Sequence, residues 1–156
     1  MEAQYDFVFV GVRGPGRERV EGKLCISAKG RSYNACSGSR SLLPLPNGLY
    51  EVKNLRFNRD DAAMAREVLA SENGGGGMCF PAWSVDLEPL FSSRRTALRI
   101  HPDGNLPGTQ GCIGILDSVH ECYDDLFQLL AKEDKRLLLL VNHDSNNPHL
   151  NDTQSN

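Results

Sequence analysis

The chain has no apolar run long enough to cross a membrane as a helix. Its longest, Leu-Leu-Leu-Leu-Val at residues 137–141, has the length of one short buried strand. A basic excess is also missing: 17 Lys and Arg against 20 Asp and Glu leave a net charge of −3. Phosphate backbones are bound by basic faces, so no nucleic acid is expected as the main partner. The five cysteines, Cys25, Cys36, Cys79, Cys112 and Cys122, include no Cys-x-x-Cys pair and no Cys/His group at zinc spacing. No metal site is expected on that ground, and no cofactor is expected because the chemistry of a thiol nucleophile requires none. The glycine run at 74–77 lacks the Lys-Ser/Thr that follows it in a phosphate-binding loop. The first residues, MEAQYDFVFVGVRG, begin acidic and have no basic stretch before a short apolar run. They do not read as a secretory signal peptide, so the expectation is synthesis in the cytoplasm, with another route to any role outside it.

What is present fits one domain over residues 1–142, β-rich with two helices, followed by a polar tail at 143–156 read as disordered. The first half alternates apolar and polar residues in short runs separated by turn signals. Residues 5–12 put Phe7 and Phe9 on one face and Val8 and Val10 on the other, and 19–27 carry Val20, Leu24 and Ile26. Further strands are expected at 32–39, 48–57, 83–90, 96–101, 112–116 and 135–142. One helix is expected over 59–74, capped by Asp60 or Asp61 and ended by Asn73-Gly74. The other is expected over 117–134, opened by an Asp/Ser cap. Its apolar face repeats at Val119, Cys122, Tyr123, Leu126, Leu129 and Leu130. The odd number of cysteines leaves at least one thiol free, and a Cys25–Cys36 bridge would require their strands to pair.

The chemistry concentrates at two residues. Ile100-His101 ends one expected strand, and Gly111-Cys112 opens the next, across the Pro- and Gly-containing loop PDGNLPGTQ. A thiol becomes a nucleophile when a neighbouring base or positive field holds it as thiolate. His101 can take the proton and return it to a leaving amine. Gly111, without a side chain, lets a substrate carbonyl approach the amides of residues 110–112 as oxyanion donors. The residues alone leave a second reading open, because cysteine is also a common core residue. Cys25 and Cys122, inside a strand and on an apolar helix face, read as core. Trp83 is a candidate for lining a substrate groove, with the core as its alternative. Arg94, Arg95 and Arg99 precede the site and could supply positive charge, with a solvated strand edge as the reading for at least two of them.

From about residue 20 to 142 the order of elements resembles the L,D-transpeptidase catalytic domain, a β-sandwich or barrel with a cysteine nucleophile. The motif of that family is a histidine, a loop, then Ser/Thr-His-Gly-Cys and an apolar residue. Here it reads His101, a loop, then Thr109-Gln110-Gly111-Cys112-Ile113. Residues 35–52, ACSGSRSLLPLPNGLYEV, are similar to the family's Ser-Gly … Pro-x-Gly-x-Tyr/Phe-x-Val hairpin. The resemblance implies Cys112 as nucleophile and His101 as base, with a backbone carbonyl near Pro102 or Asp103 orienting the ring. Gln110, Gly111 and Thr109 would form the oxyanion loop, and Arg99 and Trp83 are the substrate-binding candidates. Gln110 replaces the family's second histidine, Gly114 stands where many members have arginine, and the His101–Cys112 gap is shorter than usual. The implied substrate is a peptidoglycan stem peptide. Divergent short forms of this domain resemble antibacterial toxins delivered by type VI secretion, with a cognate immunity protein and a secretion carrier as partners, acting in a target cell's periplasm. Two alternatives stay open: a cysteine amidase or endopeptidase on other wall bonds, and a non-catalytic binding domain of a phage or secretion particle.

Overall fold

The computed structural model describes residues 5–14, 19–38, 43–57, 83–95, 98–102, 112–132 and 135–143. Eight strands carry the fold: β1 (Phe7–Arg13), β2 (Val20–Ile26), β3 (Arg31–Ser37), β4 (Gly48–Phe57), β5 (Trp83–Pro89), β6 (Arg99–Pro102), β7 (Ile113–Ile115) and β8 (Leu137–His143). One described helix, α1 (Val119–Leu130), lies between β7 and β8. The strands close into a barrel in the order β1-β2-β3-β7-β6-β5-β4-β8, with β8 returning to β1. Two neighbouring pairs run parallel, β1 with β8 and β6 with β7, and the others are antiparallel. Closure leaves every strand with two neighbours and removes the edges on which sheets aggregate.

Alternation decides the inside. Phe7 and Phe9 are fully buried while Val10 between the strand's inward residues and solvent is exposed. Val20, Leu24, Ile26, Val85, Ile100, Ile113 and Leu139 point into the same core, around Trp83 and Tyr50. Helix α1 adds Cys122, Leu126 and Leu129, with Val119, Tyr123 and Leu130 packed against the cluster, which is the face its periodicity predicts. Its position is fixed electrostatically at Asp125, which is 2% exposed. Arg31 donates to the two carboxylate oxygens from Nη2 at 2.6 Å and Nε at 3.0 Å, and the Tyr33 hydroxyl donates to the same group. Burial pushes the Asp125 carboxyl up, but the Arg31 and Tyr33 hydrogen bonds prevail and hold it below the usual carboxylate range.

Several local expectations change. The second helix begins at Val119, and the expected side-chain cap is not made: Ser118 sits at φ 53° without a cap bond. Asp117 instead accepts a hydrogen bond from Asn34 Nδ2 at 2.8 Å, which takes its carboxylate away from the helix amides. His143, placed with the polar tail on composition, is the last residue of β8 and is buried, because its ring bonds to the loop before β4. Cys25 stands opposite Ser32 and Cys36 opposite Glu21, so strand pairing keeps those two thiols apart, and no disulfide joins them. β4 carries a register shift between Lys53 and Arg56, where Asn54 takes φ 62°. The helix expected over 59–74, the glycine run at 74–77, Cys79 and residues 144–156 lie outside the described residues. Among the described residues, no helix is long and apolar enough to cross a membrane.

Candidate functional site

The parallel pairing of β6 and β7 brings His101 and Cys112 together. Ile100 pairs with Ile113 and His101 with Gly114, and both isoleucines are buried in the barrel. Because side chains alternate, His101, Gly114 and Cys112 then share the opposite face. Gly114 is the register partner of both His101 and Cys36, and it presents no side chain between them. Cys112, immediately before β7, and His101, inside β6, are each half-buried, within a wall of the barrel and not sealed in its core.

The ring is oriented from behind. His101 Nδ1 lies 2.8 Å from the carbonyl oxygen of Pro102. A carbonyl only accepts, so Nδ1 carries the proton in the neutral ring and Nε2 presents the lone pair. This is the carbonyl contact expected at Pro102. Burial pushes the Cys112 thiol up, but hydrogen bonding with His101 and the charge of that ring, with a backbone hydrogen bond and charge from Arg99, pull it below its ordinary value. Cys122, on the buried face of α1, shows the opposite: burial raises its thiol, and nearby Asp125 adds to the effect. One thiol is thus tuned toward thiolate, and the other is held inert.

A second set of contacts holds the cysteine's backbone. Ser37 Oγ donates to the Cys112 carbonyl at 2.7 Å and accepts the Leu45 amide at 2.8 Å. Leu45 belongs to the turn before β4, and that turn is tied by each of its carbonyls in succession. Arg95 Nη1 donates to Pro44 O at 2.9 Å, His143 Nε2 to Leu45 O at 2.9 Å and the Tyr50 hydroxyl to Pro46 O at 2.6 Å. Asn47 closes the turn on β8, accepting the His143 amide at 2.9 Å. Ser37, His143 and Asn47 carry no catalytic mark in the sequence. Only the Ser-Gly and Pro-x-Gly-x-Tyr runs, noted for their likeness to a hairpin, point to that neighbourhood.

The arginines separate. Arg99, the substrate-binding candidate, is half-exposed and has its Nε 3.4 Å from Asp86, a carboxylate that also accepts from Arg56 Nη2 at 2.7 Å. Its side chain is committed to that cluster. Arg94 is exposed, whereas Arg95 is half-buried. Trp83 does not line a groove: it is 0% exposed, with its ring 6.1 Å from that of Tyr123 under α1. Its position at the start of β5 points it inward, where its large apolar area is removed from water. Asp103, Thr109, Gln110 and Gly111 lie outside the described residues. Among the described residues no group of three or more His, Cys, Asp and Glu side chains is placed to hold a metal ion. No protein-family model, no curated protein and no solved structure matches the chain.

Proposed function

We propose that the protein is a cysteine acyltransferase acting on peptidoglycan stem peptides, built on an L,D-transpeptidase-like barrel. The observation that carries the reading is the parallel pairing of β6 and β7, which sets His101 beside the strand that follows Cys112, with His101 Nδ1 on the Pro102 carbonyl; His101 also draws the Cys112 thiol below its ordinary value. This is the nucleophile–base–orienter arrangement of thiol acyl transfer. The closed β-barrel, and a histidine strand beside the strand that cysteine opens, support it further.

In this reading Cys112 passes its proton to His101 Nε2, and the thiolate attacks the carbonyl between the L-centred third residue and the terminal D-alanine. The tetrahedral adduct collapses with breakage of the C–N bond, and the imidazolium gives its proton to the departing amine. The thioester left on Cys112 is then taken by water, releasing a shortened stem, or by an amine, forming a new amide. Either acceptor loses a proton to His101 and restores the thiol. The setting proposed for this reaction is a target cell's wall, reached by delivery as an antibacterial effector.

Incubation with a tetrapeptide muropeptide tests the reading. The wild-type protein releases free D-alanine, and Cys112→Ala releases none. Equal release by that variant contradicts the assignment. Mass analysis of digested wall separates loss of one alanine from cleavage deeper in the stem.

A further inference from the structure

Asp86, on β5, reaches the nucleophile through β6. Its register partner there is Arg99, and its Oδ1 lies 3.4 Å from Arg99 Nε. On the other side of β6, Ile100 pairs with Ile113, and Arg99 and Cys112 each stand one residue before that pair. A backbone hydrogen bond also joins Arg99 to Cys112. Ile100 and Ile113 are buried, so alternation turns Arg99, His101 and Cys112 to the outer face. Adjacent strands lie about 4.8 Å apart, and an arginine side chain spans more than that. The guanidinium has two anions within its reach, Asp86 and the Cys112 thiolate, and it lies on Asp86.

The shape of β4 supports that placement. The register shifts between Lys53 and Arg56, so Asn54 and Leu55 stand against Val85 alone, with Asn54 at φ 62°. A non-glycine residue in that conformation is held by its surroundings, and bulges re-aim side chains. This one delivers two donors to one carboxylate: Arg56 Nη2 to Asp86 Oδ1 at 2.7 Å, and Asn54 Nδ2 to Oδ2 at 3.1 Å. Lys53, the register partner of Asp86, bonds Glu88 instead. Asp86 is thus fixed by β4 while it holds Arg99 on β6. The titratable groups that face Cys112 among the described residues are His101 and Arg99 of β6, Cys36 of β3 across Gly114, and Arg95 after β5. Of the two arginines, Arg99 is on a carboxylate and Arg95 on the Pro44 carbonyl. A cation closed directly on a thiolate lowers its proton affinity and its nucleophilicity together.

We infer that Asp86 is a positioning residue for Cys112: it tethers Arg99 on the β5 side of β6, so that the cation favours the thiolate from a distance and leaves the sulfur to His101. As a statement about catalysis this rests on the acyl-transfer reading. The tether itself is read on the thiol, with no substrate present.

Iodoacetamide alkylation of Cys112 in the full-length protein, followed against pH by mass spectrometry of the modified peptide, gives a midpoint and a limiting rate. Arg99→Gln removes the cation and is expected to raise the midpoint by about half a pH unit. Asp86→Asn releases Arg99 toward the sulfur, which is expected to lower the midpoint by about as much and to slow the limiting rate about twofold. Arg99→Lys keeps the charge and stays near wild type. The Asp86→Asn/Arg99→Gln double variant matches Arg99→Gln, because the carboxylate acts through the arginine. A single variant of either residue with an unshifted midpoint, or shifts of both in the same direction, overturns the tether. An Asp86→Asn shift that persists at full size in the double variant overturns it as well, since the carboxylate then acts on the sulfur directly. Opposite shifts in a protein that releases no D-alanine from a muropeptide leave the tether standing and remove the peptidoglycan reading. Release of D-alanine with unshifted midpoints does the reverse.

Discussion

Ser37 Oγ bridges the carbonyl of Cys112, at 2.7 Å, and the amide of Leu45, at 2.8 Å. One buried hydroxyl thus uses its proton on the nucleophile's backbone and its lone pair on the turn that receives Arg95, His143 and Tyr50. The nucleophile strand and the β3–β4 connection are held as one unit by this one hydroxyl.

Ser37→Ala leaves a buried amide and a carbonyl each short of a partner. A loss of about 1–3 kcal/mol in unfolding free energy is expected from urea titration. Alkylation of Cys112 should slow as well, because its backbone is no longer fixed relative to the β6 strand that carries His101. Unchanged stability and unchanged alkylation together would show that the bridge is dispensable.

Asp125→Asn removes the charge that Arg31 and Tyr33 share. The carboxyl is lowered in the folded protein, so its contribution is present above the unfolded carboxylate value of about 3.9 and is lost as pH falls through the lower folded value. Arg31 is 56% exposed and screened by solvent, which limits the effect to about 1–3 kcal/mol at neutral pH. Stability measured from pH 7 down to pH 2 should show the wild-type advantage disappearing in acid. An advantage that persists unchanged at pH 2 would assign it to packing and not to the charge.

Gly48 sits at φ 146°, and a Cβ there would lie 2.5 Å from Phe91 Cε1. Phe91 packs edge-on against Tyr50, with ring centroids 5.2 Å apart, and Tyr50 holds the Pro46 carbonyl. Gly48→Ala should cost about 1–3 kcal/mol through backbone strain, read as a lower urea midpoint. A variant with an unshifted midpoint would mean that Phe91 moves aside freely.

Local pattern carried much of this fold. Phe7 and Phe9 inward, the strand at 48–57, and the apolar face of α1 all follow from period-two or period-3.6 spacing over a few residues. Closure of the barrel was not legible, because it depends on β8 lying parallel to β1, at the far end of the described chain. His143 reads as part of a polar tail for the same reason: the carbonyl that buries it, on Leu45, is 98 positions away. At the site, His101 and Cys112 were legible as a pair because the chemistry required both and the loop between them was short. Arg95 could not be told from Arg94 or Arg99, since what distinguishes the three is the Pro44 carbonyl and the Asp86 carboxylate, neither of them a neighbour in sequence. Trp83 had two readings, a substrate groove or the core that more often holds a lone strand tryptophan, and its complete burial decides for the core.

The most direct test of the account is the pH dependence of Cys112 alkylation by iodoacetamide in wild type and His101→Ala. The account predicts a wild-type midpoint below the ordinary thiol value of about 8.5, with brisk reaction at pH 6 where Cys122, pushed up by burial, stays unmodified. Removing the imidazole deletes the largest influence that lowers the thiol and leaves burial, which raises it, so the His101→Ala midpoint should move upward. A wild-type midpoint at or above the ordinary value, or the same midpoint in both proteins, would contradict the claim that His101 activates Cys112.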